Sequence, residues 1–226
     1  MKLKHISHLI TGSVMELFGV MADGKVVNSY ELTNKRGAKL KVINYGATVT
    51  TLKIPLKSGE MVDVVLGFDT LENYINSFDL ESAPYLGATV GRYAGRINNA
   101  TFNLNGEIIH LDKNNNGHSL HGGKDNFSKK VWEVKNVNEG CSPSITFGYL
   151  SPANEGNYPG DLSVELTYTL SENNELIIEY NAQTTEDTVL NLTHHSYFNL
   201  DGHDSSVSEQ ELIVNSHKML ETTTEN

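Results

Sequence analysis

An all-β fold, a β-sandwich with few short helices, is what this sequence predicts, and three observations carry the prediction. Asp161 to Leu170, DLSVELTYTL, places Leu162, Val164, Leu166, Tyr168 and Leu170 on one face, and Glu175 to Ala182 repeats the period with Leu176, Ile178, Tyr180 and Ala182. Asn105-Gly106 separates Phe102 and Leu104 from Ile109 and Leu111, and that dipeptide suits the left-handed φ angles of a type I′ hairpin turn. The remaining strand candidates are short and flanked by Gly, Asn or Asp. They do not alternate with helices, as a parallel α/β sheet would require.

Along the chain, strands are expected over Lys39 to Asn44, Val49 to Ile54 and Val62 to Phe68, where β-branched and aromatic residues cluster between turn formers. Asp69 to Asn76 reads as a short helix, with Asp69 as N-cap and Glu72 three residues on. The Asn-Gly hairpin follows, then a polar loop at Lys113 to Gly117. Trp132 lies in a Val-Trp-Glu-Val strand context that favours a core position over a ligand-stacking platform. Ser151 to Gly160, ending in Pro159-Gly160, is a loop leading into the long hairpin, whose own turn is Ser171 to Asn174. Leu212 to Val214 is a last strand candidate.

No Pro/Ser-rich linker divides the chain, so residues 1–226 are read as a single domain large enough to bury a core without staples. A net charge of −11 with no Lys/Arg cluster argues against nucleic acid as a partner. The single cysteine, Cys141, cannot form an internal disulfide or a multi-thiolate zinc site. His5, Ser7 and His8 interrupt the apolar residues of the basic N-terminus, so neither a signal peptide nor a membrane span is expected. The expectation is a soluble, cytoplasmic protein.

Three blocks concentrate groups able to do chemistry: GRYAGR (Gly91 to Arg96), SLHGG (Ser119 to Gly123) and NLTHHSYFNL (Asn191 to Leu200). His195 stands among apolar and aromatic neighbours, where burial can tune a proton donor; a neutral strand histidine bonded to backbone is the plainer alternative. His121 precedes two glycines that allow close backbone approach to a ligand, or is a loop histidine held locally. Arg96 carries a planar donor fork suited to paired hydroxyls or to a structural carboxylate, and Arg92 is the better candidate for a structural ion pair. Tyr197 projects to the same strand face as His195, which directs Phe198 the other way, into packing. His118 and His121 lack the helical setting and the further ligands of a metal site, so no metal is expected.

Together these blocks resemble the aldose 1-epimerase, or galactose mutarotase, family, whose signature runs Asn-x-Thr-Asn-His-x-Tyr-Phe-Asn-Leu. His194 stands where that family usually has Asn. Asn44 to Thr48, Asp63 to Phe68 and Asn157 to Gly160 extend the similarity from about Tyr30 to the end of the chain. The resemblance implies a mutarotase-type supersandwich and an isomerase that interconverts the α and β anomers of an aldohexose, galactose or glucose, without a cofactor. His195 would be the acid and His121 its partner at the sugar ring oxygen; Arg96, Gly95, His121, His195 and Tyr197 would contact substrate. Gly95 occupies a position that is Asn in many members. The family also carries a sugar-binding Asp and a basic Glu downstream of the decapeptide, and neither motif occurs here. The base is therefore expected beyond Asn226, the chain being read as truncated at its C-terminus and poorly active alone. The alternatives are a non-catalytic carbohydrate-binding module and a relative acting on a phosphorylated sugar.

Overall fold

A computed structural model describes residues 9–10, 13–219 and 221. His5, Ser7 and His8, and residues 222–226 of the C-terminal tail, lie outside them.

The alternating run 161–170 forms β14 (Leu162–Leu170), paired in unbroken antiparallel register with β15 (Leu176–Thr184), so that Leu166 faces Tyr180. Its residues at even positions from Leu162 to Leu170 are buried, whereas Ser163, Glu165, Thr167 and Thr169 at the odd positions take the outer face. With β12 (Glu133–Asn138) and β13 (Ser144–Ser151) this hairpin makes a four-stranded sheet in sequential order. A second meander of six strands runs β1 (Leu9–Ile10), β2 (Ser13–Val20), β3 (Val26–Thr33), β4 (Lys39–Ile43), β5 (Thr48–Pro55) and β6 (Met61–Asp63).

Face-to-face packing of the two sheets builds the main core. Tyr30, Leu32, Leu40, Val42, Val49 and Leu52 from one sheet meet Ile145, Phe147, Leu162, Val164, Leu166 and Leu170 from the other. Burying each such side chain fully contributes roughly 1.5–3 kcal/mol, which makes this layer the principal source of stability. Polar ties cross it as well: the Tyr168 hydroxyl donates to Ala47 O at 2.7 Å, and Asn34 Nδ2 donates to Ser171 O at 2.6 Å. Trp132 is fully buried in the core, its Nε1 donating to Phe127 O at 3.2 Å.

Several local expectations hold and several are corrected. Asn105 and Gly106 have φ of 53° and 88°, the left-handed pair of a type I′ turn, between β9 (Thr101–Leu104) and β10 (Glu107–His110). The helix α1 spans Leu71–Ser77, and its cap is Thr70 rather than Asp69, because the extended Thr70 turns its hydroxyl onto the Asn73 N–H at 3.2 Å. Strand β6 stops at Asp63 instead of running to Phe68: the Asp63 carboxylate folds back onto the N–H groups of Leu52 and Val65, and Val64 to Leu66 instead pair with the Tyr197 to Asn199 segment, Val65 bridging Phe198. Lys39 to Asn44 loses its last residue because the Asn44 side-chain oxygen, in place of its carbonyl, accepts from Asn28 N–H, while the carbonyl turns to Trp132 N–H. Leu212 to Val214 forms no strand; it is 86, 77 and 66 % exposed, with no ladder partner among the described residues. Among those residues, no helix is long and apolar enough to cross a membrane.

Candidate active site

The site grows from one ribbon, residues 85–97, with a block of functional residues attached along each edge. On one side β7 (Thr89–Val90) pairs with β16 (Thr193–His194), and the pairing is extended by backbone bonds from His195 N–H to Ala88 O and from Gly87 N–H to His195 O, both 3.0 Å. On the other side β8 (Arg96–Ile97) pairs with β11 (Ser119–Leu120), and His121 N–H donates to Gly95 O at 3.0 Å. The three sequence blocks thus converge.

Gly95 also donates its N–H to Nδ1 of His121, at 3.1 Å. An acceptor at Nδ1 fixes the neutral imidazole as the Nε2–H tautomer, a donor. Its pKa is held down to about 4, first by burial and then by repulsion from His195 and Arg96, so His121 works as a neutral hydrogen-bond donor. The turn that delivers it is left-handed at three successive residues, His121, Gly122 and Gly123, with φ of 55°, 86° and 90°. A Cβ on Gly122 would stand 2.1 Å from Gly91 O, so only glycine lets the loop lie on the ribbon.

His195 and His121 face each other edge-on with ring centroids 5.4 Å apart, and Tyr197 lies 5.3 Å beyond His195 on the same side. The His195 ring makes no hydrogen bond to another described residue. They border a cleft of about 640 Å³ whose lining includes Tyr85, Arg96, His121, His195 and Tyr197, a size within the usual ~300–1,000 Å³ of small-molecule sites. A further hollow, of about 560 Å³, lies against Gly95 and Asn191 and shares His121, His195 and Tyr197. Arg96 reaches the cleft with its Nε bonded to Asn115 Oδ1 at 3.0 Å, and among the described residues it has no carboxylate partner. Glu81 is the one carboxylate among the lining residues.

Arg92 is structural, but not as the expected ion pair. Only 2 % exposed, its guanidinium donates at 2.9 Å to Ser151 Oγ and to the carbonyls of Ser151, Pro152, Pro159 and Gly160, clamping the Pro-Gly loop beneath the ribbon. Phe198 is not in packing: it is 51 % exposed, and Asn199 takes the buried position, since its N–H pairs with Val64 O while its amide holds Ser205. Among the described residues no three His, Cys, Asp or Glu side chains gather as metal ligands.

Sequence reasoning passed over Tyr85. This buried tyrosine has a left-handed φ of 51°, and its ring lies 5.0 Å from His121 and 5.8 Å from His195. Asn126 Nδ2 ties its hydroxyl (3.4 Å) to Gly123 O (3.0 Å). Pro84 directly before it restricts its own backbone and that of Ala83, not Tyr85, so it gave no sign of the turn.

Comparison with known proteins turns this geometry into a kinship. The family described as Aldose 1-epimerase matches residues 28–226. The chain belongs to the aldose 1-epimerase family. Galactose mutarotase of Bos taurus is 40 % identical over 183 residues, covering 80 % of this chain and 51 % of that protein. The Homo sapiens galactose mutarotase is 38 % identical over 200 residues, covering 88 % and 55 %. The crystal structure of galactose 1-epimerase from Lactobacillus acidophilus superposes with a TM-score of 0.72 at 27 % identity, over 83 % of this chain and 53 % of that one. The chain spans about half the length of the curated relatives it matches.

Proposed function

We propose that the protein is an aldose 1-epimerase acting on an aldohexose such as galactose or glucose. The observation that carries the reading is the His195 imidazole, without a hydrogen bond among the described residues and facing the cleft beside the neutral donor His121. Anomerisation protonates the ring oxygen while the C1 hydroxyl gives up its proton; the ring opens, the C1–C2 bond rotates, and the aldehyde recloses from either face. His195 supplies and recovers the ring-oxygen proton. His121 Nε2–H and Arg96 hold ring oxygen and hydroxyls so that the acid meets them in line, with Tyr197 completing the contacts and Gly95, whose N–H and carbonyl both engage His121, lying against the second hollow. The base on the far side of C1 comes, in this reading, from the family's carboxylate motif, which these 226 residues do not contain. Glu81, at the cleft, is not assigned that role.

Polarimetry on freshly dissolved α-galactose and α-glucose, with the protein expressed from its natural reading frame, tests the proposal. Faster mutarotation is expected, and His195→Ala should lower kcat by about 10²- to 10⁴-fold, the usual worth of a positioned acid. Sugar binding with no acceleration would replace the enzyme by a binding module. Undiminished turnover in the variant would remove His195 as the acid.

A further inference from the structure

We infer that His194 is a positioning residue: with Ser196 and Tyr168 it forms a one-directional hydrogen-bond chain that fixes the reverse face of the strand presenting His195. The inference rests on His195 being the acid of the proposed reaction.

The direction of the chain follows from its far end. Ala47 O can only accept, and the Tyr168 hydroxyl is 2.7 Å from it, so the single phenol proton is committed there. Tyr168 is fully buried on β14. Its oxygen must therefore accept from His194 Nδ1 at 3.3 Å, which places the imidazole proton on Nδ1. Nε2 is left as an acceptor, and the Ser196 hydroxyl, 2.6 Å away, donates to it. The order is Ser196 to His194 to Tyr168 to Ala47. The groups packed around the ring, Tyr168, Ser196, Thr89 opposite it across the ladder and His195 beside it, include no carboxylate to hold a second proton.

Strand alternation gives the chain its consequence. His194 and Ser196 occupy one face and His195 and Tyr197 the other, so anchoring the first pair to the central core strand fixes the rotation of the second about the strand axis. The backbone bonds of His195 hold this strand to the ribbon, and the side-chain chain braces its reverse face against the core. His194 thus acts on the chemistry through the strand it anchors, although it and Ser196 also border the second hollow.

A set of variants tests this. An amide carries an N–H donor and an oxygen acceptor at nearly the spacing of the two ring nitrogens, so His194→Asn should retain most of kcat. His194→Ala and Tyr168→Phe should each lower kcat by roughly 10- to 100-fold with KM nearly unchanged, the scale of a small misplacement of a catalytic group. Nitrogen-15 NMR of the unliganded protein should show His194 as the Nδ1–H tautomer, and nuclear Overhauser contacts between the His195 and Tyr197 rings should weaken in His194→Ala. An Nε2–H tautomer, or wild-type kcat and unchanged ring contacts in His194→Ala, would overturn the inference. If the wild type itself leaves mutarotation unaccelerated, the proposed function fails, and the tautomer with the ring contacts still decides the chain.

Discussion

Acid should destabilise this protein partly through His194, and the effect can be sized. Burial, reinforced by repulsion from His195, lowers its pKa from the usual 6.5 to about 4. Between those values the unfolded chain binds a proton that the folded one refuses, so this residue's stabilising contribution is complete above about pH 6.5 and is lost as pH falls towards 4. At pH 5 the full shift corresponds to about 2 kcal/mol, and solvent access to the partly exposed ring brings the expectation down towards about 1 kcal/mol. His194→Asn has no such proton to refuse. Urea unfolding of both proteins at pH 7 and pH 5 should therefore show the midpoint falling further in the wild type, by roughly 0.5 M at a typical slope. Comparing the two pH values within each protein cancels any general effect of the substitution. Equal falls in the two proteins would mean that His194 does not stay neutral, and the environment described for it would be wrong.

Other expectations follow from the ribbon and its attachments. Gly122→Ala should destabilise by more than about 1 kcal/mol and weaken sugar binding, because the new Cβ meets Gly91 O and the left-handed φ is strained; thermal melts and calorimetry read both. Arg92→Met removes the donor from three buried acceptors, Ser151 Oγ, Ser151 O and Gly160 O, and should cost roughly 3–5 kcal/mol by chemical denaturation. Arg96→Ala and His121→Ala should raise the Kd for galactose while the fold is retained; unchanged affinity in both would mean that the sugar binds elsewhere. Tyr85→Ala should lower kcat through loss of the wall behind both imidazoles, whereas Glu81→Gln should leave kcat as it was.

The parts of this architecture legible in the sequence were those with unbroken local periodicity. Leu162 to Ala182 declares its hairpin because alternate residues face a dry core and water, and Asn105-Gly106 declares its turn because few other pairs adopt two left-handed angles. Strand β3 was less readable: Asn28 and Ser29 interrupt its apolar pattern, and the register against β2 shifts between Leu17 and Gly19. Leu212 to Val214 has the composition of a strand without a partner, and pairing is a non-local property. Among the site residues, the convergence of Arg96, His121 and His195 came from motif resemblance, since they lie far apart in sequence and meet only through the ribbon. Tyr85 escaped because neither its type nor its spacing records a positive φ. The turned-away direction of His194 was implicit in the alternation that brings Tyr197 alongside His195.

The ribbon of residues 85–97 also sets when the site can exist during folding. The long hairpin β14–β15 closes a short loop and can form early, whereas the bond from His195 N–H to Ala88 O joins residues about a hundred positions apart, with the whole four-stranded meander between them. The two imidazoles are therefore expected to come into register after that sheet has been laid down, since the folded sheet shortens the loop to be closed. Ligand binding at this cleft would report on completion of the fold, arriving after the bulk of the secondary structure has already formed.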